Sequence, residues 1–188
     1  LRECNICKKE LKESEYQLCE GCKTVGNEFF KVKGSVSKPT KKLNREEYYL
    51  GIAKAVSVGG TCLRRNYGAI IVNNDEIIST GYTGAPRGNA NCCDLGVCER
   101  QRLKIAPGER YELCKSVHAE QNAIISASRQ EMLGATLYLY GYDKEKDCEI
   151  LVAQPCDLCS RMIINAGISK VVAANYIWYP SANRKYIE

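Results

Sequence analysis

The chain has 188 residues, 45% of them apolar and 26% charged, and carries a formal net charge of +5. That balance suits a compact protein with one main hydrophobic core and room for a small appendage. No apolar run approaches the ~20 residues needed to span a bilayer, and no basic start with an apolar centre marks a signal peptide, so no membrane partner is expected and the cytoplasm is the expected compartment.

The first 43 residues hold ten Lys or Arg against six Glu, a formal +4, which leaves +1 for the rest. A basic N-terminal excess can greet phosphates or nucleic acid, but a solvated Lys-rich linker is the plainer reading. The same stretch holds the first of twelve cysteines. Disulfides are disfavoured where nothing directs export. Spacing points to metal instead: Cys4 and Cys7 in CNIC, then Cys19 and Cys22 in CEGC, form two C-x2-C pairs eleven residues apart. Two such knuckles place four thiolates around one tetrahedral zinc, with redox-active or unrelated cysteines as the alternative. A closed four-thiolate site has no open position, so its expected role is structural or recognitional. Residues 1–43 are therefore expected to be a small zinc ribbon and linker, and 44–188 the main domain.

From Asn44, a good N-cap with Glu46 and Glu47 behind it, REEYYLGIAKAVSV reads as a helix stopped by Gly59 and Gly60. YGAIIVNNDEIISTGY is two β-rich runs around an Asn-Asn-Asp turn, a hairpin. HAEQNAIISASRQEML reads as one helix, ATLYLYGY as a strand, CDLCSRMIINAG as a helix ended by Gly167, and SKVVAANY as a strand. This order predicts an α/β fold, a mixed sheet covered by helices on both faces.

His118 is the only histidine. It opens one predicted helix, and Cys156 and Cys159 open another. One imidazole and two thiolates leave a fourth zinc position free, the arrangement of a catalytic site. The N-terminal ends of helices favour thiolates. Glu120, two residues after His118, is suited to take a proton from an activated water and pass it to a leaving amine.

HAE and PCDLC together match the signature of zinc deaminases. With YGAIIV, STGYTGAPRG, NCCD, HAEQNAI and INAGISKVV, residues 44 to 176 resemble the cytidine and deoxycytidylate deaminase superfamily, closest to deoxycytidylate deaminases. The resemblance implies a three-layer α/β/α fold and a zinc-dependent hydrolase that converts deoxycytidine monophosphate (dCMP) to deoxyuridine monophosphate (dUMP). It implies that His118, Cys156 and Cys159 hold zinc, that Glu120 shuttles protons and that the Ala119 amide binds the pyrimidine carbonyl. It implies a symmetric homo-oligomer. Thr83 stands where the family usually has an Asn that helps hold sugar and base. The segment before Pro155 is longer than usual, and the N-terminal ribbon lies outside the resemblance.

A monophosphate needs charge-assisted donors. Arg64, Arg65 and Arg87 are candidates, and Arg87 is preferred because it shares a loop with Thr83. The resemblance to phage deoxycytidylate deaminases also implies a further structural zinc drawing on Cys62 and Cys92, which Cys98 and Cys114 would complete. Small buried thiols are the alternative. A deaminase guided to nucleic acid by the ribbon is the second functional reading. It is disfavoured because a polymer needs a basic channel, and residues 44–188 are nearly neutral.

Overall fold

The computed structural model describes residues 2–3, 10–11, 42–106 and 109–180. Contacts divide the chain into two compact units, Leu1–Lys42 and Leu43–Glu188. In the first, β1 (Arg2–Glu3) pairs antiparallel with β2 (Glu10–Leu11). The four ribbon cysteines lie outside the described residues.

The second unit opens with α1 (Arg45–Ser57). Asn44 Oδ1 accepts the Glu47 N–H at 2.8 Å, and Glu47 Oε2 accepts the Asn44 N–H at 2.9 Å, a reciprocal cap that satisfies two otherwise orphaned donors. Strands β3 (Arg65–Asn73) and β4 (Glu76–Tyr82) form the expected hairpin. Asn74 and Asp75 make its turn at φ 48° and 69°, the left-handed geometry that a two-residue hairpin needs. The Tyr49 hydroxyl of α1 donates to Asp75 Oδ1 at 2.7 Å and pins the helix to that turn.

The connection after β4 is long, and short elements organise it: α2 (Cys92–Leu95), α3 (Glu99–Arg102) and a single 3-10 turn at Tyr111–Leu113. Its ends are tied by two main-chain hydrogen bonds between Gly84 and Val117, which make it a closed loop. Then come α4 (Ala119–Ile125), α5 (Arg129–Met132), β5 (Thr136–Asp143), β6 (Cys148–Glu149), α6 (Asp157–Ala166), β7 (Lys170–Ala173) and β8 (Tyr176–Trp178).

The sheet order is β4-β3-β5-β7-β8, with β6 also on β5. Only β5 and β7 run parallel, joined by the crossover through α6, so the sheet is mixed. Period-two alternation sorts its residues onto two faces. Ala69, Ile71, Leu137 and Leu139 pack with Ala119 and Ala123 of α4 and Ile163 of α6. Ile70, Val72, Tyr138 and Val172 pack with Tyr49 and Ala53 of α1. Helices thus cover both faces of the main unit, as expected.

Two expected elements differ in detail, and a third resolves one of its two readings. The stretch after His118 is two helices, because the Ser126 hydroxyl turns back to the Asn122 carbonyl at 2.8 Å and Ser128 caps a new turn with Glu131. The final strand is likewise two, β7 and β8, folded antiparallel across Ala174 and Asn175. The charged segment after β5 turns into the short hairpin β5–β6.

Two glycines set how closely helices approach the sheet. A Cβ on Gly68 would lie 2.1 Å from the Ala53 carbonyl oxygen of α1, and one on Gly81 would lie 2.3 Å from both the Ala119 oxygen and the Ala123 nitrogen of α4. These obstacles are backbone and cannot swing aside. Gly51, exposed in α1, faces nothing within 4 Å. Gly81→Ala is expected to lower unfolding free energy by more than ~2 kcal/mol. Gly51→Ala is expected to raise it by about 0.5–1 kcal/mol. Denaturant titration of the two variants checks both signs.

Candidate active site

His118 and Cys156 are the residues immediately before α4 and α6, and Cys159 stands in the first turn of α6. Helical geometry begins just beyond each ligand: the His118 carbonyl accepts the Asn122 N–H at 3.0 Å, and the Cys156 carbonyl accepts the Ser160 N–H at 2.8 Å. The side chains meet between the two helix ends. His118 Nδ1 lies 3.5 Å from Cys156 Sγ and 3.4 Å from Cys159 Sγ, and the three ligating atoms fall within 4.8 Å of one another. One imidazole and two thiolates at this separation fit zinc with a coordination position to spare. His118, Cys156 and Cys159 form the zinc site.

The electrostatics agree with that donor set. The Cys156 thiol is pulled down to about 4, chiefly by a hydrogen bond from Cys159, with burial opposing and His118 assisting. Cys159 is pushed up by the same hydrogen bond, by burial and by Glu120. Zinc takes both sulfurs as thiolates, so its binding releases any proton they hold. The hydrogen bond to Cys156 raises the His118 imidazole against the opposing effect of burial.

Glu120 is 5% exposed, and burial pushes its carboxyl above the ordinary value. It shares with His118 and Cys156 a cavity of about 290 Å³, near the lower end of the ~300–1,000 Å³ of small-molecule sites. Thr83, Tyr67 and Tyr111 also line it. The Thr83 hydroxyl accepts the Tyr67 N–H at 3.1 Å, so its own proton remains available to a ligand. Ala119 is the first residue of α4 and fully buried, and its N–H has no acceptor within the helix.

The family described as "Cytidine and deoxycytidylate deaminase zinc-binding region" matches residues 43–175. The chain belongs to this family. A deoxycytidylate deaminase of Mycobacterium phage D29 is 36% identical over 132 residues, covering 68% of this chain and 91% of that protein. The Schizosaccharomyces pombe deoxycytidylate deaminase is 33% identical over 127 residues, covering 68% of this chain but only 36% of that relative. Among solved structures, the apo dCMP deaminase of cyanophage S-TIM5 superposes with a TM-score of 0.49 at 30% identity, covering 70% of this chain and 82% of that one.

Other expected residues of this deaminase fall differently. Arg87 is not among the residues lining the cavity; its Nη2 donates to Ser126 Oγ at 3.2 Å. Arg64, Arg65 and Arg100 line the cavity instead. Cys62, Cys98 and Cys114 line it too, while Cys92 is buried with its sulfur 3.9 Å from Ser116 Oγ. Burial raises the Cys92 thiol, and Cys62, Cys114 and Cys98 act on it as smaller causes. Among the described residues, however, only His118, Cys156 and Cys159 draw three ligating atoms within 4.8 Å.

The sequence reading missed Tyr111, whose ring stands edge-on to His118 at 5.8 Å between centroids, and Arg100, whose guanidinium carbon lies 4.5 Å from the Tyr111 ring centre. Both sit in the aperiodic loop between β4 and α4, where no spacing marks a residue as interior.

Proposed function

We propose that this chain deaminates dCMP to dUMP with release of ammonia, residues 44–188 being the catalytic domain. The observation that carries the reading is a buried carboxyl, Glu120, facing one cavity with a His-Cys-Cys metal centre. The names of the phage and yeast relatives support the substrate.

His118, Cys156 and Cys159 would hold the zinc, which would supply water activated at neutral pH. Glu120 takes a proton from that water and delivers it to N3 of the cytosine as the oxygen bonds to C4. It then carries the new hydroxyl's proton to the amino group, the C4–N bond breaks, and ammonia leaves. A carboxyl whose pKa burial has raised accepts and returns protons near neutrality more readily than an exposed one. The Ala119 N–H donates to the pyrimidine carbonyl, and the Thr83 hydroxyl donates to the sugar or base.

The expected assembly is a homo-oligomer. Ile125 of α4 and Leu158 of α6, 69% and 49% exposed, give two touching helices apolar surface to bury. The ribbon is expected to hold zinc through Cys4, Cys7, Cys19 and Cys22. The antiparallel pairing of β1 with β2, which brackets Cys4 and Cys7 in sequence, supports this reading. Cys62, Cys92, Cys98 and Cys114 are proposed to close on a third zinc. Cys62, Cys98 and Cys114 each act electrostatically on the Cys92 thiol, which supports that grouping.

Two measurements test these proposals. Glu120→Gln should retain zinc and fold while losing at least ~100-fold in kcat with dCMP; near-full activity with zinc present would remove Glu120 from the mechanism. Elemental analysis of protein purified without chelator should return about three zinc per chain, one for each ligand set. Two equivalents, with Cys62 and Cys114 freely alkylated, would make those thiols packing residues.

A further inference from the structure

Tyr67 lines the cavity that holds His118 and Glu120, and its surroundings keep its ring in one place. Its main chain exchanges two hydrogen bonds with Thr83. The Tyr67 N–H donates to the Thr83 hydroxyl, and the Tyr67 carbonyl accepts the Thr83 N–H, both at 3.1 Å. Its register partner on β5 is Gly141. A Cβ on Gly141 would lie 2.6 Å and 2.9 Å from two ring carbons of Tyr67, and 3.2 Å from Ile150 Cβ. The ring therefore lies over the glycine, in space that any side chain there would take, an aromatic covering a bare strand position. With strand backbone behind it, the ring cannot retreat from the cavity.

Tyr111, the other tyrosine on the cavity, is held differently. It is 44% exposed, it belongs to the loop between β4 and α4, and its ring meets side chains, Arg100 and His118. Side chains yield where backbone does not. Of the two rings, Tyr67 is the rigid one.

The polar end of Tyr67 shows which part of the cavity it bounds. Burial raises its hydroxyl above the ordinary value, Arg65 opposes the rise and Glu120 adds to it. The hydroxyl is thus within electrostatic reach of the carboxyl proposed to serve N3 and the C4 amino group. Arg65 is itself fixed by Asp143 at 3.0 Å. C5 of a pyrimidine is bonded to C4, so a group added at C5 enters the shell of side chains around the reacting carbon.

We propose that Tyr67 is a specificity-determining residue, a fixed wall that closes the cavity at the C5 edge of the pyrimidine and rejects bases enlarged there. The proposal rests on the cavity being a nucleotide deaminase site. At about 290 Å³ the cavity has little room to spare for a nucleotide. A wall backed by main chain turns each added methylene into strain rather than rearrangement.

The test compares kcat/KM for dCMP, 5-ethyl-dCMP and CMP in the zinc-loaded chain. The ethyl group enlarges the base, and CMP enlarges the sugar. Tyr67→Val removes the ring and suits a strand, Tyr67→Phe keeps the ring, and Tyr111→Leu removes the rival. The unmodified chain should favour dCMP over 5-ethyl-dCMP, and Tyr67→Val should shrink that ratio at least ~10-fold. Tyr67→Phe and Tyr111→Leu should preserve it, and the ratio of dCMP to CMP should stay as it was in Tyr67→Val. An unchanged 5-ethyl ratio in Tyr67→Val, an equal fall in Tyr111→Leu, or a gain on CMP instead would overturn the proposal. Should Tyr67→Val fail to fold, Gly141→Ala acts in the opposite direction. Its methyl group drives the ring into the cavity, so discrimination against 5-ethyl-dCMP should rise, and an unchanged ratio overturns the wall. Absence of turnover in the unmodified chain would sink the deaminase reading alone. Binding of dUMP and 5-ethyl-dUMP would then decide the wall: Tyr67→Val should bind the ethyl compound at least ~10-fold better relative to dUMP than the unmodified chain does. An equal preference in the two chains, or no binding of the ethyl compound to Tyr67→Val, would overturn it.

Discussion

The catalytic helix lies on the sheet backbone to backbone. At Gly81 the strand has no side chain, and a Cβ there would sit 2.3 Å from main-chain atoms of α4. This contact sets the depth of His118, the residue just before α4, and of Glu120, the second residue of that helix. The buried Ser79 hydroxyl, donating to the Ala123 carbonyl at 2.8 Å, holds the same helix from the same strand. The second half of the metal site comes from α6, whose Ile163 packs in the core with Ala119 and Ala123. A small displacement of either helix would open the 3.4–3.5 Å spacings between imidazole and sulfurs. The chemistry therefore depends on glycine where a side chain would have filled the space.

Burial then divides the work among ionisable groups. The carboxyl of Glu120 rises because it is desolvated, whereas Cys156 falls because a neighbouring thiol and imidazole hydrogen-bond to its charged form. The carboxyl proposed to carry protons and the metal ligand thus acquire opposite tendencies within one cavity. The guanidinium groups on that cavity divide similarly. Arg65 and Arg64 each have a carboxylate within 4.0 Å, Asp143 and Glu145, while Arg100 has none among the described residues and its buried Nε is unpaired.

Much of this was legible in the sequence because it follows from local rules. Asn44 with Glu46 and Glu47 announces a helix start, the Asn-Asn-Asp run at 73–75 a hairpin turn, and Gly167 a helix end, which it closes at φ 83°. His118, Cys156 and Cys159 were legible by signature, and the described geometry brings them together. What the sequence concealed was set by tertiary contacts. The break between α4 and α5 depends on Ser126 turning inward to Asn122, in a stretch whose apolar pattern continues unbroken. Arg100 is buried only because a loop without periodicity closes on itself between Gly84 and Val117. Arg87 looked well placed for a phosphate because it shares a loop with Thr83, yet the loop carries it to Ser126.

The central claim is that the cavity carries out hydrolytic deamination, with water supplying the oxygen that replaces the amine. Turnover of dCMP in heavy-oxygen water by zinc-loaded protein tests this directly. The account predicts dUMP carrying one heavy oxygen at C4 and one ammonia released for each dUMP formed. Unchanged dCMP, or dUMP without the label, would contradict it.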